Sequence, residues 1–421
     1  MSSLHHLVYQ SYYQLMHEFC QYPQLLRHLK EDKIGDRVKL LAIGKAAWKM
    51  ASLGSAQLAD RGIGCEGFVL TKYGLSLGEI PGLKILEAGH PLPDANSLKH
   101  SRQIVDWLRS LSAQDELLVL LSGGTSALFE LLPPGSNLTD QESAHKQLLQ
   151  SGKNIAEINR ERAALSLVKG GNALDHINAK RIHIYAVSDV AENDPRVLGS
   201  GPFTPCIDGE KTVSGWKYKL PGKQITYKIV ADNNAFLSQL ASDLRSQGFR
   251  VYLEEEFQSC SLPAMAERIK EVLRKAHLPR FRLRPPFLYL WGGETPLKVG
   301  GPGQGGRCSH LALSLVPAVA KYPDTALFCF ATDGNDNVRG SGGAFVDSQT
   351  KSDLLKANIS LANARKDCDS YAALQAIHHI LPSPLLATNV NDIFLLSAGY
   401  NLENPFNGNA KDEIDLFDSL L

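Results

Sequence analysis

Four glycine- or aspartate-rich segments follow short apolar runs, and their residue types suit the handling of an anion. Ser122-Gly123-Gly124-Thr125-Ser126-Ala127 lies between an expected strand and an expected helix. Glycines there allow close backbone approach, and a helix N-terminus offers N–H groups to a phosphate. Gly123, Gly124, Thr125 and Ser126 are thus candidate phosphate-cradle residues, although a plain tight turn would use the same residues. The segment lacks the final glycine of a nucleophile elbow, G-x-S-x-G. Gly44-Lys45-Ala46 ends the first expected strand. A lysine there can neutralise phosphate as a point charge. No G-x-x-x-x-G precedes it, so it is not a Walker A loop.

Ser188-Asp189-Val190-Ala191-Glu192-Asn193-Asp194-Pro195 places three acids within six residues after a strand. Such oxygens can hold Mg²⁺ or deprotonate a hydroxyl, and a solvated acidic turn is the bland alternative. Gly292-Gly293-Glu294-Thr295 leads to Gly300-Gly301-Pro302-Gly303-Gln304-Gly305-Gly306-Arg307, seven glycines over fifteen residues. Gly301, Gly303 and Gly306 formally match G-x-G-x-x-G, but the preceding strand ends too early for a dinucleotide turn. Arg307 opens a helix, where its planar fork suits a phosphate or carboxylate. Thr332-Asp333-Gly334-Asn335-Asp336 adds a further carboxylate pair at a strand end.

The elements that must carry these residues alternate. Strands are expected at Arg37–Ile43, Phe68–Thr71, Leu83–Glu87, Leu117–Leu121, Arg181–Val187, Ile225–Ala231, Phe249–Leu253, Phe287–Trp291 and Thr325–Ala331. Helical patterns lie between most of them: one runs through Leu111 with Asp94 or Asn96 as its cap, and others lie at Asp140–Val168, Asn234–Gln247 and Leu262–Ala276. Parallel strands need helical crossovers, so the order implies a doubly wound sheet. An amphipathic helix opens the chain; His5-His6 is expected to be its solvated start, and His378-His379 a structural pair. Pro202–Lys223 reads as a loop, Pro279–Pro286 as a basic linker, and Asp412 to Asp418 as a solvated acidic end.

With 421 residues, 43% of them apolar, the chain is long enough for two domains, placed at 1–235 and 236–421. Lysine plus arginine and aspartate plus glutamate both number 44, which leaves no basic footprint for nucleic acid. No apolar run is long enough to span a membrane, and no export signal is visible. Seven scattered cysteines without a C-x-x-C pair argue against a disulfide framework or zinc site. The expectation is a soluble cytoplasmic enzyme.

Taken in order, nine segments resemble the glycerate 2-kinases whose C-terminal part is the MOFRL domain. They are Gly44–Ala46, Glu87–Asp94, Ser122–Leu128, Val168–Gly171, Ser188–Val190 with Asp194-Pro195 and Ser200–Pro202, Gly292–Thr295, Gly301–Arg307, Thr332–Gly334 and Thr388–Asp392. The resemblance covers residues 40–396. It implies a two-domain α/β fold, with a Rossmann-like N-terminal sheet, a mixed C-terminal sheet and a cleft site between the domains. It also implies ATP- and Mg²⁺-dependent phosphorylation of glycerate, a small-molecule substrate, and allows a homo-oligomer. The family's catalytic lysine and arginine fall on Lys45 and Arg307. Beside them Asp189 is the candidate base, Gly123–Ser126 with Gly303, Gly305 and Gly306 the nucleotide contacts, and Asp194, Glu294 and Asp333 the metal carboxylates. Cys308-Ser309-His310 stands where the family usually has Asn-Gln-Glu, which predicts an altered preference for the acceptor. A nicotinamide oxidoreductase and a non-catalytic binding relic are the competing readings.

Overall fold

A computed structural model describes residues 3–140, 143, 161, 163–205, 207, 209–212, 215–278, 284–298, 300–383 and 388–402. Most of the helix expected at Asp140–Val168, most of the Pro279–Pro286 linker and the acidic end lie outside the described residues. The chain divides into two compact units, one formed by residues 21–232 with 387–390, the other by 1–20, 233–386 and 391–421.

The unit holding residues 21–232 is built on an eight-stranded sheet: β1 Val38–Ile43, β2 Cys65–Lys72, β3 Leu83–Ala88, β4 Glu116–Leu121, β5 Arg181–Val187, β6 Glu210–Thr212, β7 Gly215–Leu220 and β8 Lys223–Ala231. Its order is β3-β2-β1-β4-β5-β8-β7-β6. The first six strands in that order are parallel, and β7 and β6 close the edge antiparallel. Every residue of β4 is buried, as a central parallel strand covered on both faces requires. The chain runs outward from β1 in one direction and from β4 in the other, so their carboxyl ends form the switch point where such sheets bind ligands. Asp94 caps the helix Ala95–Ser110 in a reciprocal box with Ser97.

One expectation here is corrected. Glu210–Thr212 and Gly215–Leu220 are not loop but the antiparallel strands β6 and β7. Trp216, Tyr218 and Leu220 alternate with Lys217 and Lys219, a strand period too short to stand out beside the flanking glycines and prolines.

The second unit carries a seven-stranded sheet: β9 Val251–Leu253, β10 Gln258–Ser259, β11 Phe287–Glu294, β12 Thr325–Ala331, β13 Ser341–Asp347, β14 Ile380–Pro382 and β15 Asp392–Ala398. The sheet is mixed: β9 and β10 run parallel to β11, whereas the β11–β15–β12–β13–β14 pairings are antiparallel. Strand β12 shows how both faces are filled. Leu327 and Cys329 join a core with the helices Leu262–Ala276 and Arg307–Val319. On the opposite face Phe330 stacks on Tyr12 at 3.8 Å, and Tyr12 meets Phe236. The opening helix, Leu4–Phe19, therefore belongs to this unit. His5 is not solvated as expected. It is fully buried between Phe328 and Phe345, with Asp347 3.6 Å away, because its helix supplies the sheet's second cover.

Candidate active site

At the switch point β1 is followed by Gly44 and Lys45, and β4 by Ser122 and Gly123. The Lys45 N–H donates to the Gly123 carbonyl at 2.9 Å, and the Ala46 N–H donates to Ser122 Oγ at 3.0 Å. Thr125 is buried, its hydroxyl against the carbonyls of Ile43 and Ser122. It therefore ties the turn to β1. Ser126 Oγ lies 2.8 Å from Ser200 Oγ, which joins the turn to the segment after β5. A Cβ at Gly124 would fall 3.1–3.3 Å from the His90 ring and from the stem of Lys45. Lysine, imidazole and glycine turn thus share one corner.

Asp189 enters the same corner from β5. Its Oδ2 accepts a hydrogen bond from Asn389 Nδ2 at 3.1 Å, and the carboxylate lies so close over Gly123 that a side chain there would have to displace it. Asp194 goes elsewhere. Arg196 spans both of its oxygens, and Asp194 lines a cavity of about 370 Å³ with Glu192, Lys211 and Trp216. Those hydrogen bonds hold the Asp194 carboxyl below the usual range although burial opposes them.

The second unit builds a different cluster. Arg307 is the first residue of the helix Arg307–Val319. Its Nη1 donates to Glu294 Oε1 at 2.5 Å and its Nη2 to Asp392 Oδ1 at 3.1 Å. Glu294 is half-exposed, whereas the Asp392 side chain is 1% exposed. Burial raises the Asp392 carboxyl to about 7; Arg307 opposes the rise, and Asp336, Asp333 and Glu294 add to it. Asp392 in turn raises Arg307 further above its ordinary value. Asp336, buried, accepts the N–H groups of Cys308 at 2.9 Å and Ser309 at 2.8 Å. It caps the helix that presents Arg307. Asp333 Oδ1 accepts the Asn335 N–H at 3.0 Å.

Gly303 and Gly305 lie against Asp367–Ser370, and Gly306 lies against Asp336. These approaches to the chain's own backbone and carboxylates already account for the missing side chains. Cys308 and Ser309 are wholly buried and His310 nearly so. Among the described residues no group of three or more His, Cys, Asp or Glu is arranged to hold a metal ion. Asn389 and Asp392 were not singled out from the sequence, although both lie in the quoted Thr388–Asp392 segment; Asp336 was noted only as one of a carboxylate pair, not as a helix cap.

The two units define a two-domain α/β protein with charged side chains at strand ends. Residues 11–216 match the family described as Domain of unknown function (DUF4147), and residues 287–392 match the MOFRL family. The D-glycerate 2-kinase of Thermotoga maritima is 32% identical over 380 residues, 86% of this chain and 90% of that protein. A protein of Agrobacterium vitis named putative hydroxypyruvate reductase is 27% identical, over 86% of this chain and all of that one. The crystal structure of glycerate kinase from Thermotoga maritima superposes with a TM-score of 0.81 at 29% identity, covering 93% of this chain and 98% of that one. The chain belongs to the glycerate 2-kinase family with a MOFRL domain, a family of phosphotransferases.

Proposed function

We propose that the chain transfers the γ-phosphoryl group of ATP to the 2-hydroxyl of glycerate, giving 2-phosphoglycerate. The observation that carries the proposal is the meeting of Lys45, the Gly123–Ser126 turn and Asp189 at the switch point, on a chain with glycerate kinase relatives. Phosphoryl transfer is mainly positioning and charge stabilisation. Lys45 supplies a cation to the transferring group. Asp189, held by Asn389, orients the acceptor hydroxyl and takes its proton. Arg307 offers a planar fork to a phosphate or to the substrate carboxylate. Both clusters must then serve one reaction, so penalties at Lys45 and Arg307 should be coupled in a double-mutant cycle.

Mg²⁺, bound with the nucleotide, would neutralise phosphate charge. It commonly takes one or two carboxylates together with phosphate oxygens and water. Glu294, with one oxygen on Arg307, and Asp333, close enough to Asp392 to oppose its ionisation, suit that need; Asp194, with both oxygens on Arg196, does not.

The test is ADP release with D-glycerate and Mg–ATP, with the product identified by ³¹P NMR. Formation of 2-phosphoglycerate is expected. Hydroxypyruvate-dependent NADH oxidation without ADP release would replace the proposal by the activity in the Agrobacterium vitis relative's name.

A further inference from the structure

We propose that Asp392 is the positioning residue for Arg307, fixing the inner edge of the guanidinium so that the outer edge meets an anion in one orientation. The inference rests on the proposed role of Arg307 in phosphoryl transfer. Three observations support it. Asp392 opens β15, where it pairs with Gly293 of β11 on one side and Ala331 of β12 on the other, while Asn233 Nδ2 donates to its carbonyl. Its backbone therefore has no freedom to follow a moving arginine. Its side chain is 1% exposed, so the Oδ1 to Nη2 contact at 3.1 Å is shielded from water. Glu294, the other partner, is 46% exposed and can be replaced by an incoming anion without leaving a buried charge behind.

The chemistry around Asp392 argues against a purely structural role. Its Oδ2 is buried without a hydrogen-bond partner, and Asp336, Asp333 and Glu294 all oppose its ionisation. A neutral residue of the same shape would fit this pocket at lower cost, because buried ion pairs seldom repay their desolvation. A carboxylate kept under those conditions is explained by what it does to Arg307. A guanidinium held at one edge keeps its fork pre-aimed and loses little freedom when the second edge binds.

The experiment compares Asp392→Asn with the wild-type chain in three measurements. The first is rotation of the Arg307 guanidinium about Nε–Cζ, followed by arginine-selective NMR and assigned with Arg307→Lys. Rotation should be slow in the wild type and at least ten-fold faster in the variant. The second is the melting temperature, which should stay level or rise. The third is ADP release: kcat should fall 10- to 100-fold with KM changed less than about three-fold, and Asp392→Asn should cost nothing further in an Arg307→Ala background. An equal loss in both backgrounds would overturn the inference, as would guanidinium rotation unchanged in both Asp392→Asn and Asp392→Ala. If the guanidinium is released but the wild-type chain forms no phosphoglycerate, the proposed function fails while the positioning role stands. Asp392→Ala repeats the NMR measurement where the amide alone still holds the arginine; rotation unchanged there too refutes the inference.

Discussion

Replacing Gly123 by alanine tests the placement of Asp189 without substituting any of the candidate catalytic side chains, Lys45, Asp189 and Arg307. The added methyl would fall 2.8 Å from Asp189 Cγ, overlap its Oδ2, and lie 3.1 Å from Asn389 Nδ2. Carbon atoms in contact prefer about 3.5–4.0 Å, so the carboxylate must retreat by about 1 Å and loosen from Asn389. A displacement of that size at a reacting group costs about 100-fold in rate. Gly123 needs no left-handed backbone. The fold should therefore survive, with an overpacking penalty of about 1–3 kcal/mol. Gly300→Ala is the matched control, since nothing lies within 4 Å of its added carbon. In the ADP-release assay, Gly123→Ala should lower kcat about 100-fold while Gly300→Ala leaves it within two-fold, and both should melt cooperatively. A Gly123→Ala enzyme within three-fold of wild type would refute the role assigned to Asp189.

Lys45→Ala should lower kcat by about 10²–10³, the usual value of one preorganised charge-stabilising group, with an unchanged circular dichroism spectrum; near wild-type turnover ends that role. Asp336→Ala removes the acceptor for two buried helix N–H groups, and urea unfolding should show a loss of about 2–4 kcal/mol. His379 is buried beside Phe345, and burial lowers its imidazole to about 4. The unfolded chain binds that proton below about 6.5, so stability is complete above 6.5 and declines as the pH falls toward 4; His379→Gln should flatten the melting temperature across that window. Introducing Asn-Gln-Glu at 308–310 should destabilise the chain, because Cys308 and Ser309 are wholly buried. It should leave the ratio of kcat/KM between D-glycerate and other 2-hydroxy acids within about three-fold, and a larger shift would show that these positions face the acceptor.

The first sheet was legible because each parallel strand carries its own signal. Leu117–Leu121 is a continuous apolar run that only a central strand explains, and Asp94 marks a helix start with a partner three residues on. The second sheet was legible in its strands but not in its covers. The period of Leu4, Leu7, Tyr12, Leu15 and Phe19 reveals an apolar helix face, yet nothing local says that this face meets Phe330 and Phe236, more than 200 residues away in sequence. His5 was misread for the same reason. A histidine at a helix start is normally solvated, and only the tertiary placement of that helix buries it.

The site divides along the same line. Lys45, Asp189 and Arg307 follow strands or open a helix, and their types alone suggest anion chemistry. Their partners carry no comparable mark. Asn389 and Asp392 sit in Thr388-Asn389-Val390-Asn391-Asp392, a polar stretch with no period. One of its residues reaches Asp189 and the other Arg307. The glycines before Arg307 mislead in the opposite direction. Their number suggests a ligand, but Gly303, Gly305 and Gly306 are pressed against Asp367–Ser370 and Asp336. Asp336 is the residue that connects these facts. Capping the N-terminus of the Arg307–Val319 helix requires its carboxylate over Gly306, where any side chain would collide, and that cap fixes the direction in which Arg307 leaves the backbone. The close packing behind Arg307 therefore accounts for the absence of side chains at Gly303, Gly305 and Gly306, and it sets the direction in which the arginine is presented.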